Sequence, residues 1–263
     1  MNWKHLLGLT AFSTIPLLLG ATTASAEVIA YWRFEPGSFL VDSSGNGHTL
    51  TQTGTVTADT ATDGSGAAGS GSALFGGAGG LQTAATLDLT AYSKIKISWK
   101  QRVQTTTGIA IVWEHTTDFN SGNGAFVNYV DTGNQQNIGI AYGYDIDRFT
   151  HAASATPGTW ESYSAIFDLN GTGGTPANSN VVQVFDGNGN PVAVTQPYLL
   201  TPPASFRNAT FYIGERGGDS LPFAGNIDEL KIENFVIPEP ASLALLAVGG
   251  LLLLPGAGGR RQR

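Results

Sequence analysis

The chain has 263 residues, no cysteine, and 20 acidic against 13 basic residues, a formal charge of −7. The missing cysteines exclude disulfide stapling and thiol catalysis. Between Glu27 and Val236 there are 9 basic and 19 acidic residues, a formal charge of −10. This charge argues against a nucleic-acid partner, because proteins that bind nucleic acids need a basic surface. It is compatible with binding of calcium or neutral sugars, or with plain solubility.

The N-terminal segment predicts export. Lys4 and His5 precede an apolar run, and Ala24-Ser25-Ala26 supplies a small-x-small cleavage site. This arrangement is typical of a secretory signal peptide over residues 1–26, cleaved by signal peptidase at the Ala24–Ala26 motif. Residues 27–236 are then predicted to form one β-sandwich domain, for which this length is common, and residues 237–263 a sorting segment.

Short alternating runs between turn residues predict an antiparallel sandwich. Glycine is almost twice as frequent as usual, at 35 of 263 residues. The clearest strand, Lys94–Lys100, places Ile95, Ile97 and Trp99 on one face and its three lysines on the other. Further strands are expected at Ile109–Trp113, Gly124–Val130, Ile138–Tyr144, Ser162–Leu169, Val181–Phe185, Val192–Val194, Phe211–Gly214 and Ile227–Ile232.

Two tracts dominated by small and polar residues are predicted to be loops, Thr60–Gly80 and Asn170–Asn180. The first contains Gly64-Ser65-Gly66-Ala67-Ala68-Gly69, which fits a dinucleotide-binding glycine pattern. That pattern requires a preceding strand and a following helix. Neither is predicted here, so we attribute the match to chance.

Four segments, in order, resemble the LamG-like (concanavalin A-like) jelly-roll family. They are Ala30–Glu35 with Val41–His48, Ser72–Phe75 with Leu87–Leu89 and the Ile95–Trp99 strand, Gly158–Tyr163 with a strand and the Asp186–Gly189 turn after it, and Phe223–Ile232. The resemblance implies an all-β fold of two antiparallel sheets packed face to face as a jelly-roll sandwich. The stretch from His115 to Thr156 departs from the family pattern, which leaves the binding loops open.

Large aromatic residues are predicted to fill the sandwich, with a sugar platform as the alternative for each. These core candidates are Trp32, Phe34, Trp99, Trp113 and Trp160. Tyr142 and Tyr144 sit two positions apart and should share one face of a strand. They are therefore the candidates for ligand binding.

Catalysis is not supported by the carboxylates. Jelly-roll glucanases carry Glu-x-Asp-x-x-Glu along one strand, which aims paired carboxylates into a cleft, and no glutamate here has an aspartate two residues later. Asp145 and Asp147 share a face without a downstream glutamate. Asp228 and Glu229 are adjacent and should point to opposite faces, so solvated charge is predicted for both pairs.

The histidines give no catalytic or zinc signature either. His48, His115 and His151 are expected in polar, turn-like surroundings, without a nucleophile motif or a His-x-x-x-His spacing. Glu114 and His115 beside Asp118 are predicted to be ordinary loop charges. We therefore predict that the protein is not an enzyme.

Calcium is a better candidate ligand than a catalytic metal. The turn Asp42–Asn46 offers oxygen ligands, which Ca²⁺ prefers. The family resemblance implies a structural calcium at the edge of the sandwich, with Asp42 and Asp228 as ligands and Glu35 behind them. The alternative is an Asx turn at Asp42, whose side chain caps its own backbone, and a surface charge at Asp228.

The C-terminal tail resembles the PEP-CTERM sorting tail of Gram-negative-type bacteria. Pro238-Glu239-Pro240 precedes an uncharged stretch, Ala241–Gly259, and the basic end Arg260–Arg263. The stretch is about long enough to cross a bilayer as a helix, which needs roughly 20 apolar residues, and the arginines favour a cytoplasmic end. The resemblance implies cleavage by an exosortase after a transient stay in the inner membrane; the alternative is an ordinary membrane anchor.

These features together predict an exported protein of the cell surface or extracellular matrix. The leading expectation is a non-catalytic module that binds carbohydrate or a matrix polymer. The first alternative is a structural surface or biofilm matrix protein without a discrete ligand site. A glycan-cleaving enzyme is a further alternative, disfavoured by the missing paired carboxylates.

Replacing Pro238, Glu239 and Pro240 together with alanine is expected to leave the full-length protein in the inner membrane, because the processing protease must recognise this motif at the membrane boundary. Fractionation and immunoblotting of cells expressing either form would measure the processed product. Normal processing and release of the triple variant would show that no exosortase reads this motif.

Overall fold

The computed structural model describes residues 26–60, 64, 70–104, 106–117, 125–142, 145–150, 154–169, 182–192, 207–217 and 220–235. Over these residues the chain forms thirteen β-strands and no α-helix, which confirms the predicted all-β class. None of the described segments contains a helix long and apolar enough to cross a membrane. The predicted signal peptide as far as Ser25, and the whole sorting tail, lie outside the described residues.

The strands are β1 (Val28–Trp32), β2 (Leu50–Asp59), β3 (Ser72–Thr83), β4 (Leu87–Asp88), β5 (Lys94–Val103), β6 (Ala110–Thr116), β7 (Ala125–Asp131), β8 (Gln135–Tyr142), β9 (Asp145–Thr150), β10 (Trp160–Asp168), β11 (Val182–Asp186), β12 (Asn208–Ile213) and β13 (Ala224–Asn234).

Hydrogen bonding joins these strands in the order β11-β10-β5-β13-β3-β12-β6-β7-β8-β9, with β1 beside β13, β2 beside β3 and β4 beside β12. Two strands change partners along their length. The first half of β13 pairs with β3 and its second half with β1. The first half of β3 in turn pairs with β13 and its second half with β12. These changes of partner let one continuous strand order fold into two layers.

Aromatic contacts show that the two ends of this strand order face each other. Trp99 on β5 meets Trp113 on β6 edge to face, with ring centroids 5.2 Å apart. Phe167 on β10 contacts both Trp113 and Phe126 on β7. Because β5 and β10 share no hydrogen bonds with β6 or β7, they belong to opposite layers. We call β1, β13, β5, β10 and β11 the front sheet, and β12, β6, β7, β8 and β9 the back sheet.

Four of the five predicted core aromatics are fully buried between the sheets: Trp32, Phe34, Trp99 and Trp113. The prediction is wrong for Trp160, which is half-buried. Trp160 begins β10 opposite Arg102, on the outward row of the front sheet. The Arg102 guanidinium lies 5.9 Å from its ring centroid, so Trp160 makes a cation–π contact instead of filling the core.

The predicted strand Lys94–Lys100 is confirmed as part of β5, with half-buried and fully buried residues in strict alternation. The predicted loop Thr60–Gly80 is wrong from Ser72 onward, because β3 starts there. Glycine in this tract permits close strand approach: a Cβ on Gly79 would lie 2.6 Å from the Cα of Gly54 on β2. The small residues therefore mark a close pairing of β2 with β3 over this part of the tract.

Gly214 follows β12 and is required on two counts. Its φ is +79°, in the left-handed region, and a Cβ at this position would lie 2.1 Å from a ring carbon of the buried Phe75. Gly189, in the turn after β11, has the same φ of +79° with no atom within 4 Å of its would-be Cβ. Substitutions at the two positions would therefore share the backbone strain and differ in the overpacking of the core.

Gly214→Ala is expected to lower the free energy of unfolding of the domain by about 2–4 kcal/mol, since it adds overpacking to left-handed strain. Gly189→Ala is the matched control and should cost about 1–2 kcal/mol, from the backbone alone. Urea titration of residues 27–236 would measure both. Equal losses in the two variants would contradict the packing of Phe75 against Gly214.

Candidate binding groove

A polar groove of about 330 Å³ crosses the outer face of the front sheet. Outward side chains of β5, β10 and β13 form its floor. The turn after β11 forms one wall, and residues of β1 and β13 form the other. The floor carries the ammonium and hydroxyl groups of Lys96, Ser98, Lys100, Ser162, Ser164 and Lys231.

Strand register brings these floor residues together. Ser98 at the centre of β5 pairs with Ser164 on β10 and with Lys231 on β13. Lys100 pairs with Ser162. Neighbouring strands lie about 4.8 Å apart and alternate residues about 7 Å apart along a strand, so the hydroxyls and ammonium groups form a grid that faces solvent.

The first wall is built around Glu229. The sheet register shifts between Asp228 and Lys231, and Glu229 lies in this bulge with a φ of 51°. The hydroxyl of Tyr31 donates to Glu229 Oε2, and Arg33 Nε lies 3.5 Å from Oε1. Burial raises the pKa of the Glu229 carboxyl above its ordinary value, against the opposing effect of Lys231. This wall therefore presents an acceptor that Tyr31 and Arg33 hold in place.

The second wall is the turn that follows β11. Asp186 accepts hydrogen bonds from the backbone N–H groups of Asn188 and Asn190, at 2.9 and 2.8 Å, and from the Asn190 side chain at 3.1 Å. A Cβ on Gly187 would lie 2.9 Å from the side chain of Ser162. The carboxylate therefore shapes the turn, and the missing side chain at Gly187 lets the turn approach the groove floor.

Asp42, the first predicted calcium ligand, is buried, and its carboxylate is filled by donors of the chain itself. Oδ1 accepts from the N–H groups of Tyr31 and Ser44, both at 2.9 Å. Oδ2 accepts from the Ser44 hydroxyl at 2.7 Å and the His48 N–H at 3.0 Å. The bond to the N–H two residues on is the Asx turn of the alternative interpretation.

Asp228, the second predicted ligand, is fully buried, so the expected solvated surface charge at this position is wrong. Its Oδ2 accepts from the Gly64 N–H at 2.9 Å, and its Oδ1 from the Glu229 N–H at 2.8 Å. A chain of hydrogen bonds links Asp228 to Asp42. The Glu229 N–H donates to Asp228, while Tyr31 donates its hydroxyl to Glu229 and its N–H to Asp42.

Glu35, the third predicted ligand, accepts from the Ser70 hydroxyl at 3.0 Å and pairs with Arg33 at 3.1 Å. Among the residues that the structure describes, no group of three or more His, Asp or Glu side chains is placed to hold a metal ion. Calcium binding therefore stays a prediction.

The other predicted site residues are only partly described. Tyr142 ends β8, and Tyr144 lies outside the described residues. Ala26 is the exposed first residue of the described chain. Ala24 and the sorting motif Pro238-Glu239-Pro240 lie outside it.

Two polar residues of β6 are buried where the sequence predicts ordinary loop charges. Glu114 and His115 are both fully buried. Glu114 Oε2 lies 3.3 Å from Arg216 Nε, while burial raises the pKa of the carboxyl. His115 stacks on Phe126 and donates from Nε2 to the Leu87 carbonyl at 3.1 Å. Burial lowers its pKa to about 4, so this histidine is a neutral core residue at neutral pH.

The sequence matches no protein-family model and no curated protein. Solved structures do resemble the fold. The binding domain of botulinum neurotoxin DC in complex with rat synaptotagmin II has a TM-score of 0.57 and 11% identity, over 85% of this chain and 51% of the toxin chain. The chain thus spans about half the length of that protein.

Two further structures are similar at the same level. A botulinum neurotoxin type C structure, whose cell entry depends on two ganglioside molecules, has a TM-score of 0.55 and 12% identity, over 85% of this chain and 51% of that one. A mutant Trypanosoma rangeli sialidase with trans-sialidase activity has a TM-score of 0.53 and 12% identity, over 80% of this chain and 31% of the sialidase chain. The TM-scores indicate a shared β-sandwich fold, while identity this low leaves the activity open.

Asp42→Ala is expected to destabilise the domain by about 2–4 kcal/mol, since it leaves the N–H groups of Tyr31, Ser44 and His48 without their acceptor. Asp42→Asn keeps one acceptor oxygen and should lose about half as much. Melting each form in calcium and in chelator also tests the metal. The calcium hypothesis predicts a wild-type gain of roughly 5–10 °C that disappears in Asp42→Ala. Identical wild-type melting in both buffers would contradict it.

Proposed function

We propose that the protein is an exported, non-catalytic module that binds a polysaccharide or matrix polymer in the groove on its front sheet. The observation that carries this proposal is the grid of hydroxyl and ammonium groups across β13, β5 and β10. Sugars present many hydroxyls at regular spacing, and a row of matching donors and acceptors on an open face suits an extended chain.

The acceptors in the walls complete this chemistry. Glu229 supplies a carboxylate at one side of the groove, and Tyr31 adds an aromatic ring beside it. A sugar hydroxyl can then donate to a wall carboxylate while it accepts from a floor lysine or serine. A similar β-sandwich fold occurs in botulinum neurotoxin type C, whose cell entry depends on interaction with two ganglioside molecules, and this likeness supports the proposal by analogy.

A role in glycan cleavage is less well supported. Hydrolysis needs two carboxyl groups flanking the scissile bond, one of them able to give up a proton. In this groove Asp186 is committed to its own turn, through three hydrogen bonds from Asn188 and Asn190. We therefore retain binding as the function, with a purely structural matrix protein as the second candidate.

We extend the proposal to the fold family and the route of the protein. The four LamG-like segments map to β1 and the turn after it, to β3, β4 and β5, to β10, and to β13. A LamG-like jelly roll is therefore the family that we propose. The terminal segments support export by a signal peptidase and processing by an exosortase, with release to the cell surface or matrix.

Ser164→Trp is expected to abolish glycan binding, or to weaken it more than about tenfold, because the indole would fill the centre of the groove. Gln183→Trp is the matched control: Gln183 is exposed on β11 and does not line the groove. A glycan array probed with the wild type and both variants measures the effect. A flat array for the wild type would favour the structural alternative.

A further inference from the structure

The lysines of the domain are collected on one face of one sheet. Residues 27–236 contain four lysines, Lys94, Lys96, Lys100 and Lys231. All four lie on β5 or β13, at half-buried positions of the outward row. Three of them line the groove, although the domain as a whole carries a formal charge of −10. The groove therefore gathers most of the lysines of an acidic domain.

The lysines at the centre of the groove lie opposite acidic residues of β13, Lys96 opposite Glu233 and Lys100 opposite Asp228. Lys94, outside the groove, pairs with Asp168 at 3.1 Å, and Lys231 pairs with Glu233 at 2.9 Å. Lys100 Nζ donates to the Gly64 carbonyl at 2.6 Å. Within the described part of the chain, neither Lys96 nor Lys100 forms a salt bridge. Each ammonium group has three donors, so both keep donor capacity for an anionic ligand.

The two carboxylates of the groove oppose these lysines only in part. Asp186 spends its oxygens on the N–H groups of its own turn. Glu229 accepts from Tyr31 and lies beside Arg33, and burial raises its pKa. The wall carboxylates are therefore largely engaged by the protein, which leaves the lysine donors of the floor to a ligand.

The spacing of the lysines indicates an extended ligand. Lys96 and Lys100 are four residues apart on one strand, so their Cα atoms lie about 13 Å apart, and Lys231 stands on the neighbouring strand beside Ser98. One small anion cannot contact all three. We propose that the groove binds a polyanionic polysaccharide, whose carboxylate or sulfate groups repeat along the chain; this inference rests on the proposed function.

The test compares polygalacturonate, dextran sulfate and neutral galactan as probes for the full-length protein in a non-ionic detergent. We expect binding to at least one of the two anionic polymers and at least about tenfold weaker binding to galactan. Binding should also weaken as sodium chloride is raised, because salt screens exposed charges. The ratio of the two anionic affinities then assigns carboxylate or sulfate as the preferred group.

Lys96→Gln and Lys94→Gln form the decisive pair, since they remove the same charge from the same face of β5. Lys96→Gln should weaken binding about tenfold, Lys94→Gln less than about twofold, and Lys96→Arg should retain most of the affinity. Equal losses for Lys94→Gln and Lys96→Gln would overturn the inference in favour of a general charge effect. Single-stranded DNA bound as tightly, with the same dependence on Lys96, would overturn it as well.

The remaining outcomes separate this inference from the proposed function. If galactan binds as tightly as the anionic polymers and Ser164→Trp abolishes both, the groove binds polysaccharide and the anionic preference is wrong. If none of the polymers binds and the glycan array is flat, the proposed function fails and the inference fails with it. A circular dichroism spectrum for each variant confirms that the variant is folded.

Discussion

The contact between Trp99 and Trp113 is the interaction on which the two-layer arrangement depends. The rings meet edge to face at 5.2 Å between the sheets, a geometry that adds about 0.5–1.5 kcal/mol to the burial of two large aromatics. Tyr163 packs on Trp99 and Phe167 on Trp113, so the same cluster also positions β10. Because side chains alternate along a strand, an inward Trp99 requires an outward Ser98. The groove floor is therefore set by the packing of the core on the other side of the sheet.

Buried amide groups extend this contact and fix how the sheets align. The Trp99 indole N–H donates to Gln101, Gln101 donates to Gln136 on β8, and Gln136 donates to Asn128 on β7. All four side chains are buried. An apolar core tolerates small shifts of one layer over the other, whereas a buried chain of hydrogen bonds loses its partners if the layers shift. This chain ties β5, which carries the centre of the groove, to the back sheet.

Periodic apolar patterns made part of this structure predictable. The alternation in Lys94–Lys100 predicts both β5 and its two faces, because one face of the strand is buried. The glycine-rich middle of β3 could not be predicted, since Gly and Ala carry no periodic signal and pair here through close backbones. The burial of Glu114 depends on Arg216, about a hundred residues away. The groove depends on the register of three strands; the alternating Lys and Ser positions along β5 and β10 were the available signal.

Local charge and net charge act on different length scales in this protein. An acidic domain repels a polyanion at long range, but salt reduces that repulsion beyond about 8 Å, whereas the groove lysines act at contact. Selectivity then comes from matching at the groove. A polymer must place anionic groups near Lys96 and Lys100 and also offer a hydroxyl donor to the wall acceptor Glu229. A uronic acid polymer carries both kinds of group in every sugar unit.

A nucleic acid strand lacks this density of hydroxyls, and the groove wall contributes one tyrosine, Tyr31, where a base-stacking surface needs several aromatic rings. The mixed composition of the groove thus favours an acidic polysaccharide over other polyanions.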